Sequence, residues 1–279
     1  MGTGDGLDGM GAQAGTRNIR LVLAYDGTPY IGWQVQPQGP TVQSVLQDAL
    51  RLITGHETAV KGSGRTDAGV HALAQVANFR TGSPMRTESF VPALNSVLPP
   101  TIAVMSADEV DDAFDAQFSA VEKTYRYRIV NSKTKSPFEH HRSWHINTIL
   151  DIESMASSCT HLIGQHDFSS FRASGCVATN PVRNLSGCSM CISGDVLTLE
   201  LTANGFLRQM VRNIVGTLVE IGRGRFSTGD VAGILAARDR TRAGVAAPPH
   251  GLYLVRVGYP GLTPAGHPPP GSGCGVVPQ

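Results

Sequence analysis

Asp67 lies in the octapeptide Gly64-Arg65-Thr66-Asp67-Ala68-Gly69-Val70-His71, with a guanidinium two residues before it and a glycine two residues after it. Glycines on both sides let the backbone bend sharply and approach a ligand closely. An arginine beside an aspartate holds it ionised and orients its oxygens. A carboxylate in that setting suits nucleophilic attack or proton abstraction. The plainer reading of the same residue types is a Gly-rich surface turn in which Asp67 bonds its own backbone.

Other residues offer partners for this carboxylate. Arg208 and Arg212 are four apart in a helical pattern and so share a face. They read as a solvated basic stripe, as an anion site, or as a second cation for Asp67. Tyr125 is either a core residue of a strand or a platform on which a base stacks. His71 is expected to hydrogen-bond within its loop; with Asp67 it lacks a third metal ligand nearby in sequence. Cys188-Ser-Met-Cys191 is a lone CxxC on a predicted strand, where residues three apart point to opposite faces, so zinc is not expected. Asp26-Gly27-Thr28 lacks the nucleophile of an aspartyl-phosphate motif, because Ala24 stands there. Gly62-Ser63-Gly64 fails both the dinucleotide and phosphate-loop signatures.

The elements that must position these residues follow from periodicity. Asn18–Tyr25 alternates as a strand. Thr41 caps an amphipathic helix carrying Val42, Val45, Leu46, Ala49, Leu50 and Ile53, and Gly55 stops it. Strands are expected at 58–62 and 74–79, on either side of the Asp67 loop. A helix is expected over 86–97 and a strand over 101–107. Along Lys123–Asn131, Tyr125, Tyr127 and Ile129 share one face and Arg126 and Arg128 the other. A helix around residues 152–163 follows, then a hairpin of 184–192 with 196–203. Helices are expected from Phe206 to about Ile221 and from a Ser227/Asp230 capping box to about Arg238, with a closing strand at 251–259. This is an α+β pattern: antiparallel sheet with helices on one face. The organisation expected is a disordered leader (1–17), an N-terminal subdomain with the Asp67 loop (18–112), a C-terminal subdomain (113–260) and a disordered tail (261–279). The acidic stretch 108–115 marks the boundary.

Net charge is +1 for 279 residues, which does not by itself advertise nucleic-acid binding. The charge is nevertheless segregated. Lys123, Arg126, Arg128, Lys133, Lys135 and Arg142 crowd 120–145, and seven arginines fall in 203–242. Such grouping permits a polyanion-binding face on a nearly neutral protein. Five cysteines in no framework spacing, no apolar run of membrane-spanning length and no signal peptide give the expectation of a cytoplasmic, reduced protein with no membrane association.

Taken in order, seven blocks resemble the tRNA pseudouridine synthase A family. They are Tyr25–Thr28 with Gly32-Trp33-Gln34, Thr41-Val42-Gln43, Gly64–His71, Lys123–Tyr127, Asp167–Arg172, Met210–Gly216 and Gly251–Leu254. The similarity covers nearly all of 18–260. It departs from the family pattern at Ala74, Asn78, Asp115, Gln117, Thr179 and Asn180. The resemblance implies isomerisation of uridine to pseudouridine at positions 38, 39 and 40 of the tRNA anticodon arm. It also implies a homodimer, two similar subdomains sharing one extended sheet, and no cofactor or metal. Asp67 matches the family's catalytic aspartate, Arg65 its neighbouring arginine, Tyr125 its active-site tyrosine and Arg212 the arginine that pairs with the aspartate. The target base must be flipped out of its stem. Asp67 then attacks the sugar or base, or removes a sugar proton; both routes stay open here. Tyr125, His71, Lys123, Arg126, Arg172 and Arg208 are the expected substrate contacts, with Leu252 and Leu254 as apolar walls for the freed base. The basic segments 120–145 and 203–242 are expected to line the tRNA path.

Overall fold

The structure is a computed structural model, and it describes residues 15–176, 178–263, 265–266 and 275–276. The first half contains β1 (Arg17–Tyr25), α1 (Val42–Thr54), β2 (Val60–Gly62), β3 (His71–Thr81), α2 (Phe90–Val97) and β4 (Ile102–Val110). The second contains β5 (Glu122–Asn131), β6 (Trp144–Ile146), α3 (Ile152–Cys159), β7 (Gly164–Asp167), β8 (Val182–Ser193), β9 (Val196–Ala203), α4 (Met210–Gly222), α5 (Asp230–Ala237) and β10 (Leu252–Gly258). Two short pairs follow, β11 (Ala265–Gly266) on β10 and β12 (Gly275–Val276) on β8. Apart from these and residues 261–263, the expected tail lies outside the described residues, as does the leader before residue 15.

All strands belong to one sheet, in the order β12-β8-β9-β5-β10-β3-β1-β4, with β2, β6, β7 and β11 attached beside it. The α+β class and the extended, mainly antiparallel sheet are therefore as the sequence implies. β10, the last long strand, joins the two halves. It runs parallel to β3, with Tyr253 opposite His71, and antiparallel to β5, with Leu254 opposite Tyr125. The strand that follows the Asp67 loop and the strand that carries Tyr125 are thereby held one strand apart.

Local sequence explains most elements. The Thr41 side chain accepts the Ser44 N–H at 3.1 Å and the Ser44 hydroxyl group receives the Thr41 N–H, while Gly55 takes φ +82° and ends α1. Gly194-Asp195 closes the β8–β9 hairpin, with Ser193 opposite Val196. β1 is buried almost throughout because it lies between β3 and β4, so its apolar residues pack on both faces. Each fully buried Leu or Ile of this core contributes roughly 1.5–3 kcal/mol.

Three expectations need correction. α4 starts at Met210, not Phe206, because Gln209 adopts a left-handed conformation (φ +59°) that no helix continues through. Arg208 therefore precedes the helix that carries Arg212. β3 begins at His71, directly after the Asp67 loop, rather than at residue 74. Cys191 is disulfide-bonded, which departs from an all-thiol chain.

Candidate active site

The Asp67 loop is fixed on both sides before any charge is considered. On its ascending arm, buried Gln75 accepts the Ser63 hydroxyl at 2.6 Å and donates to the Gly64 carbonyl at 2.9 Å. Lys123 Nζ donates to the Ser63 carbonyl. At its crest, Thr66 takes the Trp33 N–H at 3.0 Å, the Thr66 hydroxyl meets that of Tyr25 at 2.9 Å, and Asp67 bridges to Gly32. On the descending arm the Val70 N–H closes a turn onto the Asp67 carbonyl, with Gly69 at φ +74°, where a side chain would be strained. The bend is therefore built by Gly69 and by three neighbouring segments.

The Asp67 side chain enters a cavity of about 530 Å³ between the two halves. Arg212, in the first turn of α4, reaches it from the second half: Nη1 lies 3.0 Å from Asp67 Oδ2. Arg212 Nε also donates to the Ala247 carbonyl at 2.7 Å, which fixes the guanidinium plane. The arginine is only 13% exposed while the carboxylate is 32% exposed, so the cation is shielded and the anion is reachable. One carboxylate oxygen is held and the other stays available to a ligand.

The floor of the cavity comes from β5. Lys123 and Tyr125 project from the same face, and the Tyr125 ring packs edge-on against Phe206 at 5.1 Å. Burial, reinforced by the Asp67 charge, pushes the Tyr125 phenol above its ordinary value, so it is neutral at physiological pH. Burial also lowers the Lys123 ammonium to about 8. Leu252 supplies an apolar wall.

The structure brings together Asp67, Arg65, Lys123, Tyr125, Arg208, Arg212 and Leu252. It separates the other candidates. Arg65 lines the cavity but is exposed and makes no ion pair with Asp67 among the described residues; the cation on Asp67 is Arg212 alone. Leu254 is fully buried in the core beside Tyr125. Arg126 lies on the opposite face of β5 from Tyr125 and pairs with Glu200. His71 faces another cavity, stacking on Tyr253 at 4.6 Å. Its Nδ1 accepts the Gly27 N–H, so Nε2 is left to donate to the carbonyls of His141 and His250. Arg172 lines a cleft beside the Asp67 cavity. Arg128, on the same face as Arg126, pairs with Glu139, whereas Arg142, which lines the same cavity, makes no ion pair among the described residues. The departures Asp115 and Asn180 serve local turns: Asp115 accepts the N–H groups of Gln117 and Phe118, and Asn180 that of Val182.

Sequence reasoning missed Gln75 and Gln209. Gln75 left one signal, a polar residue inside an otherwise apolar strand. Gln209 left none. Among the described residues no group of three or more His, Cys, Asp or Glu is arranged to hold a metal ion, and no helix is long and apolar enough to cross a membrane.

The chain is similar to known proteins over most of its length. The profile of a family described as tRNA pseudouridine synthase matches residues 21–119 and 158–260. Asp67 falls in the first matched block and Arg212 in the second, with Tyr125 between them. Over 243 residues the chain is 44% identical to tRNA pseudouridine synthase A of Geotalea daltonii, covering 87% of this chain and 100% of that one. It is 48% identical over 243 residues to the protein of the same name from Caldicellulosiruptor saccharolyticus, with the same shares covered, 87% and 100%. With that of Myxococcus xanthus it shares 44% identity over 253 residues, 89% of this chain and 96% of the relative.

Proposed function

Because the chain belongs to the tRNA pseudouridine synthase family, we propose that its Asp67 cavity receives a uridine flipped out of tRNA and isomerises it to pseudouridine. The N1–C1′ bond of the nucleoside breaks, the uracil turns, C5 bonds to C1′, and the C5 proton is lost as N1 gains one. Nothing is oxidised or reduced and no group leaves, so side chains suffice for each step. The observation that carries the reading is the carboxylate of Asp67, held at one oxygen by a shielded Arg212 across the junction of the two halves.

Arg212 keeps Asp67 ionised in a closed site, where an unpaired carboxylate would tend to protonate. The free oxygen either attacks C1′ or the base, or takes the C2′ proton. Tyr125 stacks as a neutral phenol on the uracil and assists the final loss of the C5 proton, while Leu252 confines the detached base. Arg65, exposed and without a partner, contacts the RNA rather than Asp67. The target uridines are those at positions 38, 39 and 40 of the anticodon arm. The working unit is a cytoplasmic homodimer, which sedimentation at micromolar concentration checks.

A glycoside hydrolase acting on the same bond is disfavoured by the cavity lining. Such enzymes more often use a pair of carboxylates, whereas among the described residues Asp67 is the one carboxylate that lines this cavity. Incubation with an unmodified tRNA transcript, followed by nucleoside analysis, separates the two. Pseudouridine with the RNA chain intact supports isomerisation; free uracil with abasic RNA refutes it.

A further inference from the structure

His71 opens β3, four residues after Asp67, and is buried on the face of the sheet away from the Asp67 cavity. Its imidazole bonds to three separate segments. Nδ1 accepts the Gly27 N–H at 3.1 Å. Nε2 lies 2.9 Å from the His141 carbonyl oxygen and 3.1 Å from that of His250. The ring also stacks on Tyr253, whose hydroxyl donates to the Arg142 carbonyl at 2.7 Å. A neutral ring that accepts at Nδ1 carries its proton on Nε2, so one tautomer serves all of these bonds. Burial holds the imidazole below its ordinary value, against the pull of the Asp26 carboxylate 3.2 Å from Nδ1. That carboxylate is itself occupied by the Thr28 N–H. The ring is therefore neutral at physiological pH.

The segment that Nε2 holds is the one that fixes Arg212. The Ala247 carbonyl takes Arg212 Nε at 2.7 Å, and the Ala247 N–H donates back to the Arg212 carbonyl at 2.9 Å. The Pro248 carbonyl accepts the Tyr127 hydroxyl at 2.7 Å. The His250 carbonyl accepts from His71. The Asp67 loop leans on the same segment, since a Cβ built on Gly69 would lie 3.5 Å from Pro249 Cγ. It rests on the Gly27 turn as well: a Cβ built on Gly27 would lie 2.0 Å from the Val70 carbonyl oxygen. His71 thus bonds to the supports of both Asp67 and Arg212 from the opposite face of the sheet.

We propose that His71 is a positioning residue for the reaction: through Nε2 it holds the 247–250 segment, and with it the Arg212 guanidinium, in register with the Asp67 carboxylate. This role rests on Asp67 and Arg212 being the catalytic carboxylate and its cation. A displacement of about 1 Å at such a pair can cost roughly 10²-fold in rate. A bond this far from the substrate therefore acts on kcat rather than on binding.

The test uses the full chain with an unmodified tRNA transcript. It compares wild type, His71→Asn, His71→Gln, Arg212→Ala and the double variant His71→Asn/Arg212→Ala. Asparagine places an oxygen near Nδ1 and keeps the Gly27 bond; glutamine places an amide nitrogen near Nε2 and keeps the donor to His250. His71→Asn is expected to lower kcat by about 10–100-fold with KM little changed, and His71→Gln to recover most of that loss. With Arg212 already truncated, His71→Asn should cost less than about 3-fold more, because the two act as a unit. Wild-type kcat in His71→Asn, a His71→Gln as slow as His71→Asn, or the same fold loss in both Arg212 backgrounds overturns the role; the last is what a general loss of stability would give. A measurement on the wild type stands whether or not the asparagine variant folds. In protein labelled at the histidine ring nitrogens, the NMR signal missing from His71→Gln should be that of the Nε2–H tautomer at neutral pH. An Nδ1–H or imidazolium signal there refutes the Nε2 bond. Pseudouridine formation by the wild type keeps the outcomes apart: its presence with an unaffected His71→Asn defeats the histidine's role alone, whereas its absence defeats the uridine site itself.

Discussion

Replacing Arg212 with alanine leaves Asp67 without its cation and removes the bond to the Ala247 carbonyl. We expect kcat to fall about 10²–10³-fold, as when one preorganised charge-stabilising donor is removed. Arg212→Lys keeps the charge but cannot hold both Asp67 and Ala247 with a rigid fork, so it should recover only part of the loss. Steady-state kinetics on one tRNA check both. Lys123 gives a pH prediction. Burial holds its ammonium at about 8 in the free protein, against an ordinary 10.5. Between those values the unfolded chain binds a proton that the folded chain does not, so this group makes the fold more stable as pH rises from 8 to 10.5. An RNA phosphate or developing oxyanion favours the ammonium and raises its pKa. Affinity for tRNA should then be complete below pH 8 and decline above it, and Lys123→Gln should flatten that decline. A pH-independent wild-type Kd between 7 and 9.5 would contradict this. At this scale Asp67, Tyr125 and Arg212 were legible because their blocks are specific. Arg65 was read, together with Arg212, as a cation that holds Asp67 ionised, but only Arg212 pairs with it among the described residues: nearness in sequence gives no orientation, and a residue two places along a bent loop points elsewhere. Arg126 was legible as a face, opposite Tyr125, but not as the partner of Glu200, which lies on a different strand.

The elements meet with little room at the middle of α4. A Cβ built on Gly216 would lie 1.7 Å from the Val245 carbonyl oxygen. That close crossing lets the 244–247 segment run beside the helix and present Ala247 to Arg212. Gly216→Ala should therefore cost about 3 kcal/mol or more and displace the arginine as well. Thermal unfolding and kcat should fall together; a variant with wild-type values for both would contradict the argument. The Asp67 loop depends likewise on Gln75. Gln75→Ala leaves the Gly64 carbonyl and Ser63 hydroxyl without a partner in a buried setting, worth about 1–3 kcal/mol. If the glutamine holds the loop, kcat drops more than KM changes. An unaltered kcat in a folded variant would make it a core residue only. Sequence placed the strongly punctuated elements well: Thr41 and Gly55 bound α1, and Gly194 turns the hairpin. It misplaced the start of α4 because apolar spacing continues through Phe206 and Leu207 while the backbone at Gln209 does not. Periodicity reports which side chains are buried, not whether φ stays negative.

Across the molecule, β10 determines where the site lies. It joins β3 to β5, so the loop before β3 and the face of β5 converge on one cavity, with α4 supplying the arginine from the second half. No local window of sequence contains that convergence; the order of the blocks implied it only through resemblance. Overall charge was similarly uninformative, because Arg65, Lys123, Arg208 and Arg212 are gathered around one cavity while acids elsewhere balance the total. Affinity for tRNA should fall steeply with salt and respond weakly to base changes away from the target, as for a reader of shape and backbone. A salt-independent Kd would refute the charged track. The most direct test of the central claim is single-turnover reaction of wild type and Asp67→Asn with an unmodified tRNA carrying uridines at positions 38–40, with pseudouridine mapped at nucleotide resolution. The account predicts pseudouridine at those positions from the wild type, and a loss of at least ~10³-fold in the variant, which still binds the tRNA. Turnover persisting in Asp67→Asn, or no pseudouridine from folded wild-type protein that binds the tRNA, would contradict it.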